Sequence, residues 1–325
     1  MPANLTPDYE KAEERYRQAQ TDEERLDALR EMYATIPKHK GTEKLQADLK
    51  RKMSLFRKTI ARRPPKGADP FHVPRGGAGQ AVVIGPPNVG KSLLVARTTH
   101  APVKVADYPY TTALPTPGMA RFEDVQVMLV DTPPLTAQHV PGGLMNTIRQ
   151  SDIISIVVDA AGEPLEEAEM VIGVLEGRGL KLRSVPVNEL DVADPSQHSA
   201  LLVANRIDLA PADNARALTD LYEGKLQVLG VSAQTGEGLE AWIRRLWQLL
   251  AQVRVYTKQP GKPPDHTKPF TLDVGATVED LAREIHQELP QKMKFARAWG
   301  EGRFAGQQVH RTEVLRDRDV IEIHE

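Results

Sequence analysis

The 325-residue chain has no cysteine, which excludes disulfide staples, cysteine-bearing metal sites and thiol nucleophiles, and agrees with a reducing compartment. It also lacks a long hydrophobic run. The longest apolar stretch, Ile153 to Ala161, falls well short of the ~18 residues that a membrane span needs. The opening MPANLTPDYEKAEERYR has no apolar core for a signal peptide. Neither sign of charge dominates: the formal net charge is -2, which argues against a chain that is basic all over. These absences lead to the expectation of a cytoplasmic chain with no membrane partner. Its length exceeds the ~100 to 200 residues of a usual domain, so two or three packed units are expected.

The charge that is present lies unevenly. From about Pro7 to Ile36 the pattern predicts one charged, net acidic helix. After the break at Pro37 to Gly41 a second helix begins, with Leu45, Leu49, Met53, Phe56 and Ile60 at spacings of three and four. Together they predict a helical hairpin over residues 1–66. Its second half is strongly basic: Lys38, Lys40, Lys44, Lys50, Arg51, Lys52, Arg57, Lys58, Arg62, Arg63 and Lys66 are opposed only by Glu43 and Asp48. Such a helix suits phosphate backbones, of ribosomal or transfer RNA for instance, although a solvated helix face gives the same pattern.

A stretch rich in proline and glycine then predicts a linker over residues 67–79, and from 80 to 252 apolar runs alternate with helical segments, an α/β pattern. Strands are expected at Ala81 to Ile84, Val125 to Val130, Ile153 to Val158, Leu201 to Ala204 and Val228 to Val231, with a terminal helix through Trp242 and Leu250. The pattern resets near Val253. Pro260, Pro263 and Pro264 interrupt any helix; a strand at Phe270 to Val274, a helix from Val278 to Leu289 and a last strand at Val320 to Ile323 predict a small β-grasp-like module over residues 253–325. Trp299 and Phe304 are expected in its core rather than in an exposed contact patch.

Gly85-Pro-Pro-Asn-Val-Gly-Lys-Ser92 fits G-x-x-x-x-G-K-[ST] and lies directly after the strand AVVI and before the helix LLVARTT, where a phosphate loop has to be. The glycines let backbone N–H groups converge on phosphate oxygens at a helix N-terminus. Lys91 meets the β- and γ-phosphates, and the Ser92 hydroxyl ligates magnesium. Asn205-Arg-Ile-Asp208 follows the strand SALLVA. Its Asp208 carboxylate can accept the N1–H and N2 amino hydrogens of guanine, whereas adenine would leave it desolvated and unpaired, a discrimination on the order of 10⁴. Val231-Ser-Ala-Gln234 matches a loop whose Ala233 N–H meets guanine O6. Asp131-Thr-Pro-Pro134 ends the strand VQVMLV, where an acidic residue would hold magnesium through water, and Thr112 in YPYTT would ligate the same ion.

In this order the motifs GPPNVGKS, YPYTT, DTPP, NRID and SAQTGEGL resemble those of the Obg-family GTPases, and specifically the developmentally regulated GTP-binding (DRG) branch. KHKGTEKLQADLKRKMSLFRK resembles that branch's basic helical hairpin, and the residues from VRVYTKQPGKPPDHTKPFTL to VIEIHE resemble its C-terminal TGS domain. The implied architecture is α/β: a P-loop GTPase domain with an N-terminal helical hairpin and a C-terminal β-grasp (TGS) domain. The implied activity is hydrolysis of GTP to GDP and phosphate, with GTP/GDP and Mg²⁺ at the site. The implied nucleotide-binding set is Gly85, Pro87, Asn88, Val89, Gly90, Lys91, Ser92, Leu93, Asn205, Arg206, Asp208, Ser232, Ala233 and Gln234. Lys91, Thr112 and Asp131 carry catalysis, and Ser92, Thr112 and Asp131 hold the metal. TGS domains also occur in threonyl-tRNA synthetases and stringent-response synthetases, which associates them with RNA and the ribosome.

The chain departs from that branch at several places. The small domain that interrupts the DRG GTPase core is missing; only about Leu180 to Ser199 fills its place. Arg206 and Gln234 stand where lysine is usual. Pro134 replaces a glycine and has no N–H to give the γ-phosphate, and Leu135 stands where other GTPases place a water-orienting Gln. Slow hydrolysis is expected, helped by a partner or a cation. Asn88 has two readings: its amide oxygen holds K⁺ beside the phosphates, as in related GTPases, or it merely suits the loop's backbone angles. The rival to a GTPase switch is a non-catalytic GTP/GDP-binding adaptor for RNA or the ribosome. A P-loop kinase is disfavoured, because NRID and SAQ would then have no role.

Overall fold

A computed structural model describes residues 7–18, 22–36, 42, 46, 49–50, 52–53, 69–99 and 114–325. The chain divides into two units, Met1–Pro70 and Phe71–Glu325. In the first, the pattern from Pro7 to Ile36 folds as two helices, α1 (Pro7–Gln18) and α2 (Asp22–Thr35), instead of the single helix expected. Tyr9 and Ala12 of α1 are buried with Leu29 and Met32 of α2, and Leu49 joins the same cluster. Arg15 pairs with Glu31 across the two helices at 2.8 Å, an exposed contact worth ~1 kcal/mol or less. The first arm of the expected hairpin is therefore itself a helix pair. Of the basic stretch Lys38 to Lys66, only Lys50 and Lys52 among its cations lie within the described residues; both are exposed.

The second unit contains two sheets. The strands of the first are β1 (Gln80–Ile84), β2 (Thr116–Phe122), β3 (Val125–Asp131), β4 (Ile153–Asp159), β5 (Lys181–Arg183), β6 (Gln197–Asn205) and β7 (Val228–Gly230). Their order is β2-β3-β1-β4-β6-β5, and β7 pairs with the second half of β6. Every pairing is parallel except β2 with β3. A parallel sheet is covered on both faces, so its strands are apolar throughout. Along β1, Val82 and Ile84 enter one core, whereas Ala81 and Val83 enter the other. The first core packs under α4 (Leu144–Gln150), α5 (Pro164–Glu176) and α6 (Ala212–Tyr222); the second packs under α3 (Lys91–Thr99) and α7 (Leu239–Leu250). Trp242 of α7 is fully buried there, and its Nε1 donates to Ser155 Oγ at 3.1 Å. The stretch before β1 also joins the unit: Val73 is buried in the first core, and Thr147 Oγ1 donates to Phe71 O at 2.6 Å.

The second sheet is built from β8 (Gln252–Thr257), β9 (Asp265–Asp273), β10 (Phe295–Trp299), β11 (Gln307–Val309) and β12 (Asp319–His324), in the order β11-β10-β12-β8-β9. Strands β8 and β12 run parallel at its centre, and the other pairings are antiparallel. Helix α8 (Val278–Ile285) covers one face with Val278, Leu281 and Ala282. Its start is fixed by a capping box, in which Thr277 and Asp280 each take the other's backbone N–H. The helix expected to reach Leu289 stops at Ile285, and a short helix, α9 (Leu289–Lys292), follows with Pro290 in its first turn. The expectation that Trp299 and Phe304 are core residues is also corrected. Phe304 is 84% exposed, and Trp299 is half-buried with the Lys258 ammonium 4.7 Å from its ring centroid. Trp299 lies on the sheet face opposite α8, because its neighbour Ala298 takes the inward place.

Candidate functional site

The ends of β1, β4 and β6 and the loop after β7 converge on the start of α3. Gly85 leaves β1 where no side chain fits: a Cβ there would lie 2.2 Å from Val157 O. Residues 85–92 then close over the helix N-terminus, with Asn88 exposed, Pro87 and Leu93 half-buried, and Val89 buried in the second core. Gly90 has φ +87°, and a Cβ on it would meet Asn205 Nδ2 at 2.4 Å.

Lys91 folds back over this loop. Its Nζ donates to Gly85 O at 3.0 Å and to Pro86 O at 2.6 Å. Burial lowers its pKa to about 8, against the opposing pull of the Asp131 and Glu167 carboxylates. An ammonium in this state is under-solvated and gains from an anion placed at the loop. Ser92 Oγ donates to Asp131 Oδ2 at 2.6 Å, so the two expected metal ligands are already in contact. A hydroxyl beside a carboxylate is the hard oxygen donor pair that suits Mg²⁺, so the described residues fit that ion. Thr112, the third ligand expected, lies outside the described residues.

The base-reading loops are tied to the phosphate loop by Asn205. Its Nδ2 donates to Val89 O at 2.8 Å, and its Oδ1 accepts from Ala233 N at 3.0 Å. The Ala233 hydrogen, expected to face guanine O6, is thus held by Asn205, and a base has to share it. Arg206, at φ +65°, donates from Nη2 to Asn88 O at 2.7 Å and pairs through Nη1 with Asp159. Its head therefore reaches the phosphate loop. Asp208 and Gln234 are exposed at the rim, while Ser232 is fully buried and accepts at Oγ from Thr235 N at 3.0 Å.

Two residues that the sequence analysis did not single out support this set. Asp159 ends β4 opposite Asn205 of β6 and anchors Arg206. Glu167 on α5 accepts from Asp159 N at 2.7 Å, and burial raises its pKa. The available sequence signal was the acidic end of an apolar strand, as at Asp131. After Asp131, Leu135 is fully buried in the first core, and its N–H donates to Gly85 O at 3.1 Å. Its side chain is thus part of the packing.

The profile of the 50S ribosome-binding GTPases matches residues 80–186, and that of the TGS domain matches residues 253–325. Developmentally-regulated G-protein 1 of Arabidopsis thaliana is 26% identical over 92% of this chain and 90% of its own length. Developmentally-regulated GTP-binding protein 1 of Xenopus laevis is also 26% identical, over 89% of this chain and 95% of its own. The chain is a relative of the developmentally regulated GTP-binding proteins. It carries a P-loop GTPase domain and a C-terminal TGS domain, and it is a GTP-binding protein. An uncharacterized GTP-binding protein of Methanocaldococcus jannaschii is 25% identical over 93% of this chain and 92% of its own. The Arabidopsis alignment runs over 362 positions, more than the 325 residues present here, so this DRG relative has residues that the chain lacks. A solved structure of Aquifex aeolicus Era aligns with 68% of the chain at 16% identity and a TM-score of 0.41. Among the described residues no helix is long and apolar enough to cross a membrane.

Proposed function

We propose that this DRG relative hydrolyses GTP to GDP and phosphate slowly, as a switch that acts with RNA or the ribosome in the cytoplasm. The observation that supports the reading most is the Asn205 amide, which joins the phosphate loop at Val89 to the loop bearing Ala233. Base selection and phosphate binding then depend on one hydrogen-bonded unit. In this reading Gly85, Pro87, Asn88, Val89, Gly90, Ser92 and Leu93 form the phosphate cradle, and Lys91 leaves the Gly85 and Pro86 carbonyls for the β- and γ-phosphates. Asp208 takes the guanine N1–H and N2 amino group, Ala233 meets O6, and Ser232 and Gln234 complete the base loop. Ser92, Thr112 and Asp131 would hold Mg²⁺, which when bound neutralises charge on the transferred phosphoryl group. Asn88, exposed at the loop, is the proposed K⁺ ligand.

Pro134 and Leu135 support the slow rate. One has no N–H to give the γ-phosphate, and the other is an alkyl group committed to the core. The same pair supports a second reading, a non-catalytic GTP/GDP-binding adaptor. The RNA or ribosome partner rests on the basic stretch Lys38 to Lys66 and on the match to the 50S ribosome-binding GTPases. Domain limits of 1–66, 67–79, 80–252 and 253–325 belong to this reading too.

Single-turnover phosphate release in potassium and in sodium buffer, with Asn88→Ala as control, separates the two readings. The switch predicts slow release that potassium accelerates in the parent but not in the variant. No release in either buffer, together with equal ribosome co-sedimentation in GDP and in a non-hydrolysable GTP analogue, selects the adaptor.

A further inference from the structure

Arg254, on the first strand of the TGS domain, is 5% exposed at its side chain, yet it makes no use of its own domain's core. It reaches the turn between β2 and β3 of the GTPase domain. Its Nη1 pairs with Glu123 and, at 3.0 Å, with Asp124 Oδ1. The other side of the guanidinium is held by Asp317, with Nη2 to Oδ2 at 2.6 Å and Nε to Oδ1 at 3.0 Å. The guanidinium carbon lies 5.4 Å from the Trp247 ring centroid and 6.0 Å from that of Phe122, and these two rings stack on each other at 5.7 Å. The Tyr256 hydroxyl donates to Asp124, and Arg318 Nη2 donates to Glu123 Oε2 at 2.6 Å. Hydrogen bonds from Arg254 and then Arg318 hold the Glu123 carboxyl below the usual range.

The grip falls on a particular piece of the GTPase domain. Residues Phe122 and Val125 pair at the turn, and Thr116 and Asp131 pair at the other end of the same two strands. Asp131 touches Ser92. Strand β2 starts directly after the segment that carries Thr112, and among the described residues it pairs with β3 alone. One hairpin therefore has its open end at the nucleotide site and its closed end in the TGS domain. Backbone-paired strands are stiff along their length, so a shift at either end is carried to the other with little loss. Arg254 is 5% exposed while Glu123 and Asp124 keep 48% and 25% of their side-chain surface open, so the hold comes from one buried guanidinium that bonds both carboxylates of the turn and Asp317 at once.

We propose that Arg254 is a positioning residue for the nucleotide site: through Glu123 and Asp124 it holds the β2–β3 hairpin, so that nucleotide state and the hold of the TGS domain on that hairpin are coupled. This rests on the guanine-nucleotide reading of the site. Coupling of this kind is reciprocal, because whatever the nucleotide does to the latch, the latch does to nucleotide affinity. A structural role alone would change stability and leave the GDP to GTP preference as it was.

The test uses the full chain as parent, Arg254→Gln, the conservative Arg254→Lys, and Asp124→Asn as a second way to weaken the same grip should Arg254→Gln fail to fold. Dissociation of fluorescent GDP and of a fluorescent non-hydrolysable GTP analogue is followed for each. Amide exchange over residues 122–125 and 252–257 is followed in both nucleotide states. The expected result is an exchange difference between the two states at the latch in the parent. That difference is lost in Arg254→Gln or Asp124→Asn, the ratio of the two dissociation rates changes by about threefold or more, and Arg254→Lys restores part of it. Identical exchange in both states in the parent, with an unchanged ratio in a folded variant, overturns the latch while the nucleotide reading stands. Failure of the parent to bind either guanine nucleotide overturns both.

Discussion

Gly90 and Asn205 are packed so closely that a Cβ on the glycine would lie 2.4 Å from the asparagine Nδ2. The phosphate loop and the base loop thus have no slack between them, and Asn205 spends both ends of its amide holding Val89 and Ala233 in place.

Gly90→Ala should therefore damage the site and not only the local backbone. The position has φ +87°, where an L side chain costs about 1–3 kcal/mol, and the added methyl pushes Asn205 from Val89. Titration calorimetry should show GDP affinity reduced by about tenfold or more, equal to ~1.4 kcal/mol. Affinity within twofold of the parent would mean that the two loops do not act as one unit.

Asp208→Asn exchanges two acceptors for one acceptor and one donor. Guanine offers two donors at N1 and N2, whereas xanthine offers N1–H beside a carbonyl oxygen. GTP affinity should fall by about 10²-fold or more while xanthosine nucleotides gain. The side chain is exposed, so the melting temperature should barely move. Unchanged preference for guanosine in competition binding would remove Asp208 from the base site.

Arg206→Ala frees both Asn88 O and Asp159. Because the arginine side chain is 41% exposed, the effect on global stability should stay at ~1 kcal/mol or below. The effect should appear as kinetics: stopped-flow release of fluorescent GDP is expected to quicken by about tenfold, since the phosphate loop loses its tie to Asp159 at the end of β4 and keeps only that of Asn205. A release rate that matches the parent contradicts this role.

Trp242→Phe removes the buried donor to Ser155 Oγ, a hydrogen bond of 3.1 Å between two fully buried residues. Urea unfolding should register a loss of about 1–3 kcal/mol, and combining it with Ser155→Ala should recover part of that loss, because the orphaned hydroxyl is gone. Additive losses in the double variant would show that the two groups do not depend on each other.

Much of this molecule can be read from its sequence where the signal is local. The parallel strands at Gln80–Ile84, Val125–Asp131 and Ile153–Asp159 are apolar runs, because both faces are covered, and GPPNVGKS sits in the turn that such strands make into a helix. Strand β2 was not visible, since Pro117 and Gly118 read as a loop; an edge strand tolerates both. Strand β10 was hidden because Phe295, Arg297 and Trp299 face away from the core and only Ala296 and Ala298 face in. Within the candidate site, motif spacing alone singles out Lys91, Ser92, Asp131, Asn205 and Asp208 in the sequence. The Asp159 anchor of Arg206 and the Arg254 grip on Glu123 were not, because each joins residues that are remote in sequence and no spacing rule relates them.

Leu135 sets a pivot in the loop after Asp131. Drawing its fully buried side chain into water would forfeit about 2 kcal/mol, and its N–H would also leave Gly85 O. The segment therefore stays rooted beside the phosphate loop, and the exposed residues beyond it, Ala137 to His139, lie in a turn closed by hydrogen bonds between the Thr136 and His139 backbones, ahead of α4. Any partner that approaches this side of the protein would meet a short closed turn on a fixed stem.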